Sequence, residues 1–409
     1  MNYVSLSLLG RFLVLTAALI ANFPTLATQE RTAADAPTPI SKVSFTLLHN
    51  RVYVPVEVNG RGHFEMVLDN GAVASGLSEE SVRSLGLQAK GKAQLTGNGE
   101  SRQKISITRN VTFRLGSAGF VEKSVAIVPF EELETHEGRT IAGVLGVNLF
   151  RRYVIAIDYR ERTLTLYEPQ TFIYHGQGEV VPLHMAQAAL FRASIELADS
   201  DSLECHLAVD SGTYSALRLY QPYVQKHHLT EGHRPSIDSF GFGLGGEFPE
   251  KLGRVALLRI GSLGLKEPTT SFSVAKRGAT STDAYDGTIG GALLSRFRVI
   301  LDYPHQKMIL EPSADFSAPF AADTSGLILG ASGPGYNVIY VLHVLANTPA
   351  SEVGIREGDT VVKVNGHEAS SLGLESIRDI LLKTGAYYLQ LRRGMQDLEI
   401  DMKTVAPLY

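Results

Sequence analysis

Phe64-Glu65-Met66-Val67-Leu68-Asp69-Asn70-Gly71 and Cys205-His206-Leu207-Ala208-Val209-Asp210-Ser211-Gly212-Thr213 are two apolar strands that each run into an Asp-x-Gly turn. The triplet Asp-x-Gly occurs only at these two places in the 409-residue sequence. Before the first, Val52, Val54, Val56 and Val58 alternate along one strand face, and Asn59-Gly60 supplies a tight hairpin turn. Before the second, Phe191 to Leu197 is strand-like, and a polar turn follows at Asp199 to Ser202. Downstream, Gly143-Val144-Leu145-Gly146 and Tyr153 to Tyr159 are answered by Gly287-Thr288-Ile289-Gly290 and Phe297 to Tyr303. Asp69 and Asp210 are offset by 141 residues, while Gly146–Gly290 and Asp158–Asp302 are both offset by 144. Three landmarks so nearly in register imply an internal duplication and two similar lobes.

The duplication points to a chemistry. A strand that ends in Asp-x-Gly holds a carboxylate at the mouth of a cleft, and the Gly permits the turn. Two such lobes facing each other bring Asp69 and Asp210 together. Carboxylates about 3 Å apart cannot both ionise, so the pair shares a proton. One acts as general base on a trapped water while the other protonates a peptide carbonyl. The pair titrates as a unit, so neither residue receives a fixed role. The competing view makes both Asp residues ordinary turn formers, but it leaves the shared downstream elements unexplained.

These residues resemble the pepsin–retropepsin superfamily of aspartic peptidases, most closely its exported bacterial type. The resemblance rests on Val54-Pro55-Val56, Asn59-Gly60, Asp69-Asn70-Gly71-Ala72 and Asp210-Ser211-Gly212-Thr213, with Val144-Leu145-Gly146 and Thr288-Ile289-Gly290. It covers roughly residues 43–313. It implies a mainly β fold, with acid-protease-like β-barrel lobes at 43–175 and 176–313 forming a cleft. Asp69 and Asp210 are then catalytic, with Asn70, Gly71, Ser211, Gly212 and Thr213 in the loops that support them. It also implies flap hairpins, for which Gly97 and Gly99 in the first lobe and Gly243 and Gly245 in the second are the candidates. The second of these stretches spells G-x-G-x-x-G, but Glu247-Phe248-Pro249 follows it rather than a helix, which argues against a dinucleotide loop. One departure stands out. The family has Thr or Ser after the Asp, as at Ser211, whereas the first lobe has Asn70. An amide can donate a hydrogen bond but is larger and planar. Either the loop adjusts, or the dyad is held loosely and the protein is a non-catalytic peptide-binding adaptor.

The last quarter changes pattern. Tyr336 to Leu342 is strand-like, and Asn347-Thr348-Pro349-Ala350-Ser351-Glu352-Val353-Gly354-Ile355-Arg356-Glu357-Gly358-Asp359 leads into Thr360 to Val364 and Asn365-Gly366. The apolar positions from Leu374 to Leu382 have helical spacing. This region, 326–409, resembles the α+β PDZ domain of exported bacterial proteases. By that resemblance a peptide C-terminus adds as a strand, with Gly335 and Tyr336 in its carboxylate loop and Val338, Tyr340, Ile377 and Leu381 as groove walls. A PDZ fold that only packs against the lobes is the other possibility. Residues 314–325, rich in Ala, Ser, Asp and Pro, read as a linker.

The remaining signals set boundaries. Arg11, the apolar run Phe12 to Ala21, Pro24 and small Ala27 read as an export signal over 1–27, followed by a flexible lead-in over 28–42. The protein is thus expected in the periplasm or secreted, and at a membrane only if the signal stays as an anchor from Tyr3 to Phe23. A net charge of −4 and the lack of any Lys/Arg run exclude a nucleic-acid partner of the usual electrostatic kind. Cys205 is the single cysteine, so it forms no internal disulfide or thiolate zinc site and reads as a buried thiol. His227, His228 and His233 lack metal-ligand spacing and read as surface residues. No metal or other cofactor is expected. The expected partners are a peptide or unfolded protein substrate and a C-terminal peptide.

Overall fold

The computed structural model describes residues 37–198, 202–232 and 235–409. The export segment, the lead-in up to residue 36, turn residues 199–201 and His233 lie outside these residues. The described chain is mainly β, with two large lobes and a smaller C-terminal sheet.

Each lobe is built on a ten-stranded sheet, drawn from residues 46–145 in the first and 184–289 in the second. Their strand orders match one for one. The hairpin Arg51–Val58 and Arg61–Leu68 turns at Asn59 and Gly60, both with positive φ (51° and 71°), the geometry that Asn-Gly adopts most readily. Val52, Val54, Val56 and Val58 are fully buried, as their alternation requires. Tyr53 on the opposite face is buried too, against Val67, Val128, Phe130 and Ile141. The strand is therefore central and covered on both faces.

A third sheet joins the lobes. Val154–Asp158 pairs antiparallel with Phe297–Asp302, placing Ile155 opposite Leu301 and Ala156 opposite Ile300. Ile155, Ile157, Val299 and Leu301 are all fully buried, each worth about 1.5–3 kcal/mol in removed apolar surface. This shared sheet fixes the lobes relative to each other and so sets the spacing of the two Asp loops. The lead-in is not flexible to its end: Ser41–Ser44 is a strand paired with Thr163–Tyr167 in the same sheet.

The segment 314–325 lacks regular structure, but it is not loose. Arg296 donates to the carbonyls of Asp315, Phe316, Ala318 and Pro319, and its guanidinium lies 3.5 Å from the Phe320 ring centre. Beyond it, five strands in the order Leu327–Ser332, Val338–Val344, Thr360–Val364, Gly385–Arg393 and Gln396–Thr404 are crossed by the helix Ala369–Leu381. Leu329, Ile339, Val341, Val364, Ile377 and Leu389 form a core separate from that of the lobes.

This topology corrects the expected peptide groove. Val338–Val344 pairs with Leu327–Ser332 on one side and meets Thr360 on the other, so it has no edge to offer. Val338 and Tyr340 are not groove walls. The free edge beside the helix is Leu327–Ser332. Gly335 and Tyr336 sit in a turn between the first two strands, where the Tyr336 hydroxyl donates to Glu134 of the first lobe (2.7 Å). Ile377 is fully buried in the module's core, while Leu381, 4% exposed, reaches the groove's end. The resemblance placed the groove on Val338 to Leu342, whereas the pairing puts that strand inside the sheet. Edges are set by pairing, which propensity does not report.

Candidate active site

Each Asp stands at the end of a strand that pairs in parallel with the apolar strand quoted downstream of it. Val144 and Leu145 lie beside Val67 and Leu68, and Thr288 and Ile289 beside Ala208 and Val209. The Asp69 amide donates to Leu145 O and the Asp210 amide to Ile289 O, both at 3.0 Å. Past each loop, Val147 N donates to Ala72 O and Gly291 N to Thr213 O, both at 2.8 Å. The two Asp loops are thus held by the same backbone bonds.

The carboxyl groups face each other across the lobe boundary. A Cβ on Gly71 would fall 2.7 Å from Asp210 Oδ1, and one on Gly212 only 2.2 Å from Asp69 Cγ. Each loop's glycine therefore makes room for the other lobe's acid. Asp69 Oδ1 accepts the amides of Gly71 and Ala72 (both 2.9 Å), and Asp210 Oδ1 accepts that of Gly212 (3.0 Å). Burial, then the Asp210 charge, pushes the Asp69 carboxyl up to about 7. Burial also raises Asp210, against the opposing pull of Arg218 and a hydrogen bond with Asp69. Two acids so placed keep one proton between them.

Asn70 resolves the departure in the first lobe. Its Nδ2 donates to Val209 O (2.9 Å), and its Oδ1 accepts the Ser211 amide (2.6 Å). Across the interface, Ser211 Oγ donates to Leu68 O (2.8 Å) and accepts the Asn70 amide (3.2 Å). A carboxamide holds a donor and an acceptor, as a hydroxyl does, and completes the same reciprocal pattern. Its spare N–H goes to the Tyr303 hydroxyl, which lies on the shared-sheet side. Thr213 Oγ1 accepts from Arg218 (3.2 Å).

Sequence reasoning missed three residues here: Tyr303, Arg218 and Arg51. In the sequence Tyr303 appears only as the last residue of the repeated run Phe297 to Tyr303. Arg218 is 1% exposed in the strand Leu217–Leu219, and a lone charge inside Ala216-Leu217-Arg218-Leu219-Tyr220 was an available signal. Arg51 opens the first hairpin and crosses to the second lobe, where Nε donates to Gly212 O (2.7 Å). Its Nη1 pairs with buried Glu137. No local pattern reports that crossing.

The candidate flap glycines Gly97, Gly99, Gly243 and Gly245 lie at hairpin tips. Gly91–Thr96 with Arg102–Thr108, and Ser236–Gly243 with Gly246–Arg254, form one hairpin from each lobe. The tips meet: Gly99 N donates to Leu244 O (3.1 Å) and Ser101 N to Gly245 O (3.2 Å). A Cβ on Gly97 would lie 2.1 Å from Leu244 O, on Gly99 2.2 Å from Gly245 C, and on Gly243 2.7 Å from Asn98 Cβ. Gly245, at φ +92°, would collide with Ser101 O. These glycines permit contact between the tips.

His49, His136 and Glu137 bring ligand atoms within 4.8 Å of one another, the one such cluster among the described residues. Both Glu137 oxygens are already engaged. Oε1 holds Arg51 and the His49 Nδ1 (3.1 Å), and Oε2 accepts from Tyr53 (3.2 Å). Arg378 reaches the His136 carbonyl (2.5 Å). Burial favours the charged form of neither imidazole, and Arg378 further lowers His136. Burial would raise Glu137, but Arg51 and then His49 hold it well below the carboxylate range. Two guanidinium groups already supply the positive charge that a divalent ion would bring, so the cluster suits an ion-pair network better than a metal.

Comparison with known proteins agrees with this architecture. The aspartyl protease family profile matches residues 54–149, and the PDZ domain profile matches residues 325–392. The chain therefore carries an aspartyl-protease-like domain and a PDZ domain. It is also similar to serine protease HTRA1 of Xenopus laevis, 32% identical over 63 residues, and of Xenopus tropicalis, 33% identical over 64. Each match covers 15% of this chain and 13% or 14% of the relative, so the chain spans about an eighth of the length of these relatives.

Proposed function

We propose that this protein is an aspartic endopeptidase that cleaves unfolded or extended protein substrates outside the cytoplasm, with a PDZ domain that binds peptide. The observation that carries this reading is the placement of Asp69 and Asp210 face to face, each over the other lobe's glycine. A water between them is polarised by the ionised carboxylate while the protonated partner donates to the peptide carbonyl. The flap hairpins, meeting from opposite lobes, enclose an extended chain between themselves and the dyad. The export assignment rests on the apolar N-terminal run alone.

Serine chemistry, the mechanism named for the HTRA1 relatives, finds less support. Ser211 is fully buried, and its hydroxyl is spent between Leu68 O and the Asn70 amide. A non-catalytic adaptor finds less support, because Asn70, the residue that favours it, makes reciprocal bonds across the dyad loops. The test is cleavage of a denatured protein by wild type and by Asp69→Asn and Asp210→Asn, with folding checked by circular dichroism. Loss in both variants is expected. Wild-type turnover persisting in either one overturns the proposal.

A further inference from the structure

The C-terminal sheet offers one edge beside its helix, the strand Leu327–Ser332, and an extended peptide adds to a PDZ-type domain along such an edge. In this structure the edge is covered from within the chain. The first-lobe helix Glu131–Glu137 packs against it. Gly138, which ends that helix at φ 68°, lies so close to the module's helix that a Cβ would sit 2.9 Å from Leu374 Cδ2.

Arg378, one helical turn beyond Leu374, closes the groove. Its Nη2 donates to Leu329 O on the edge strand (2.8 Å) and to His136 O of the first-lobe helix (2.5 Å). The carbonyl that an added strand's N–H requires is therefore taken by the same nitrogen that holds the first-lobe helix. The groove's other end stays open. Leu327, Ile328, Leu381 and Leu382, together with Leu329 and Arg378, line a cavity of about 640 Å³ that Phe320 and Leu252 help to wall. A peptide entering there finds the Leu329 carbonyl held by Arg378 and must displace that guanidinium to bond with it.

The covering helix also touches the second-lobe flap. The His136 ring stacks on Phe242 (4.0 Å between centroids, 12° between planes). From the module's side, His343 stacks on Phe240 (4.3 Å) and bridges Glu247 of the flap (3.0 Å) and Glu357 (2.9 Å). The flap is thus gripped by the two elements that Arg378 ties together.

We propose that Arg378 makes docking of the Glu131–Glu137 helix and addition of a peptide strand to Leu327–Ser332 mutually exclusive, so that an extended peptide ligand releases the second-lobe flap. The docked state is the restrained one, and the ligand shifts the population toward an open flap because it binds only the undocked form. The effect on turnover rests on the aspartic peptidase reading; the competition for the groove does not.

The test uses the full chain and hydrogen–deuterium exchange, which reads the flap whether or not the protein cleaves anything. The probe is a synthetic octapeptide ending in Ala-Leu-Ile-Val with a free carboxylate. Saturating peptide raises exchange across residues 236–254 of the wild type by about tenfold or more and leaves Val154–Asp158 unchanged. Arg378→Ala gives the same rise without peptide and binds the peptide at least about tenfold more tightly than the wild type. Peptide binding that leaves flap exchange unaltered overturns the inference. So does equal affinity of the two proteins, including no binding by either. The wild-type arm stands even if Arg378→Ala folds poorly. An inactive dyad with a peptide-released flap would reject the peptidase reading and keep this one.

Discussion

The Asp69 and Asp210 loops share a backbone and differ in what holds them. Both are fixed by the same strand pairings and by equal bonds to Leu145 and Ile289. Their side-chain supports are unequal. The first lobe contributes the Asn70 carboxamide and the second the Ser211 hydroxyl, and Asp69 accepts two loop amides against one for Asp210. Arg51 leaves the first lobe to hold Gly212 O, while Arg218 lies beneath the second loop. The difference teaches that duplicated backbone secures the approach of the acids, whereas side chains are free to diverge provided each supplies one donor and one acceptor.

The strongest way to break the comparison is to neutralise one acid at a time. Asp69→Asn and Asp210→Asn should each lower the initial rate of cleavage of denatured protein by about 1000-fold or more, despite the asymmetry of their surroundings. A much smaller loss in one than in the other would mean that the loops are not equivalent in the reaction. Next is Asn70→Ala, which strips Val209 O, the Ser211 amide and the Tyr303 hydroxyl of their partner. Turnover should fall about 100-fold as the dyad loses its position. Thermal unfolding should show a loss of about 1–3 kcal/mol for each buried group left unmet.

The helix–groove–flap contacts were not legible in the sequence, and the reason is physical. Duplicated strands, Asp-x-Gly turns and apolar-apolar-Gly segments are local signals, so the lobes and the Asp loops could be read from residues such as Val52 to Val58 and Leu145-Gly146. Arg51 reaches Glu137 across 86 residues and Gly212 across 161, and Arg378 reaches His136 across 242; nothing in their neighbours' spacing reports partners so distant. The PDZ-like strand pattern was visible at Val338 to Leu342, but its place in the sheet depends on Leu327–Ser332, whose run Leu-Ile-Leu-Gly-Ala-Ser is no stronger a strand signal.

Smaller effects sharpen the comparison. In the proposed mechanism, turnover requires the singly protonated pair. Burial and Asp210 raise Asp69 to about 7, so the shared proton is kept below that pH and lost above it. The pH–rate profile should therefore decline by about tenfold per unit on the alkaline side of that value. A profile still rising through that range would contradict the assignment. The smallest effect is expected for Asn70→Thr, since a hydroxyl restores the donor and acceptor that the carboxamide provides. Turnover should stay within about threefold of wild type, at the cost of the Tyr303 contact. A large gain would show that the native amide holds the dyad poorly.

The most direct measurement is a crystal structure of the protein with a peptide whose scissile amide is replaced by a hydroxyl-bearing carbon. The account predicts that hydroxyl between Asp69 and Asp210, within about 3 Å of an oxygen of each. A peptide seated elsewhere, or carboxyl groups too far apart to share one hydroxyl, would contradict it.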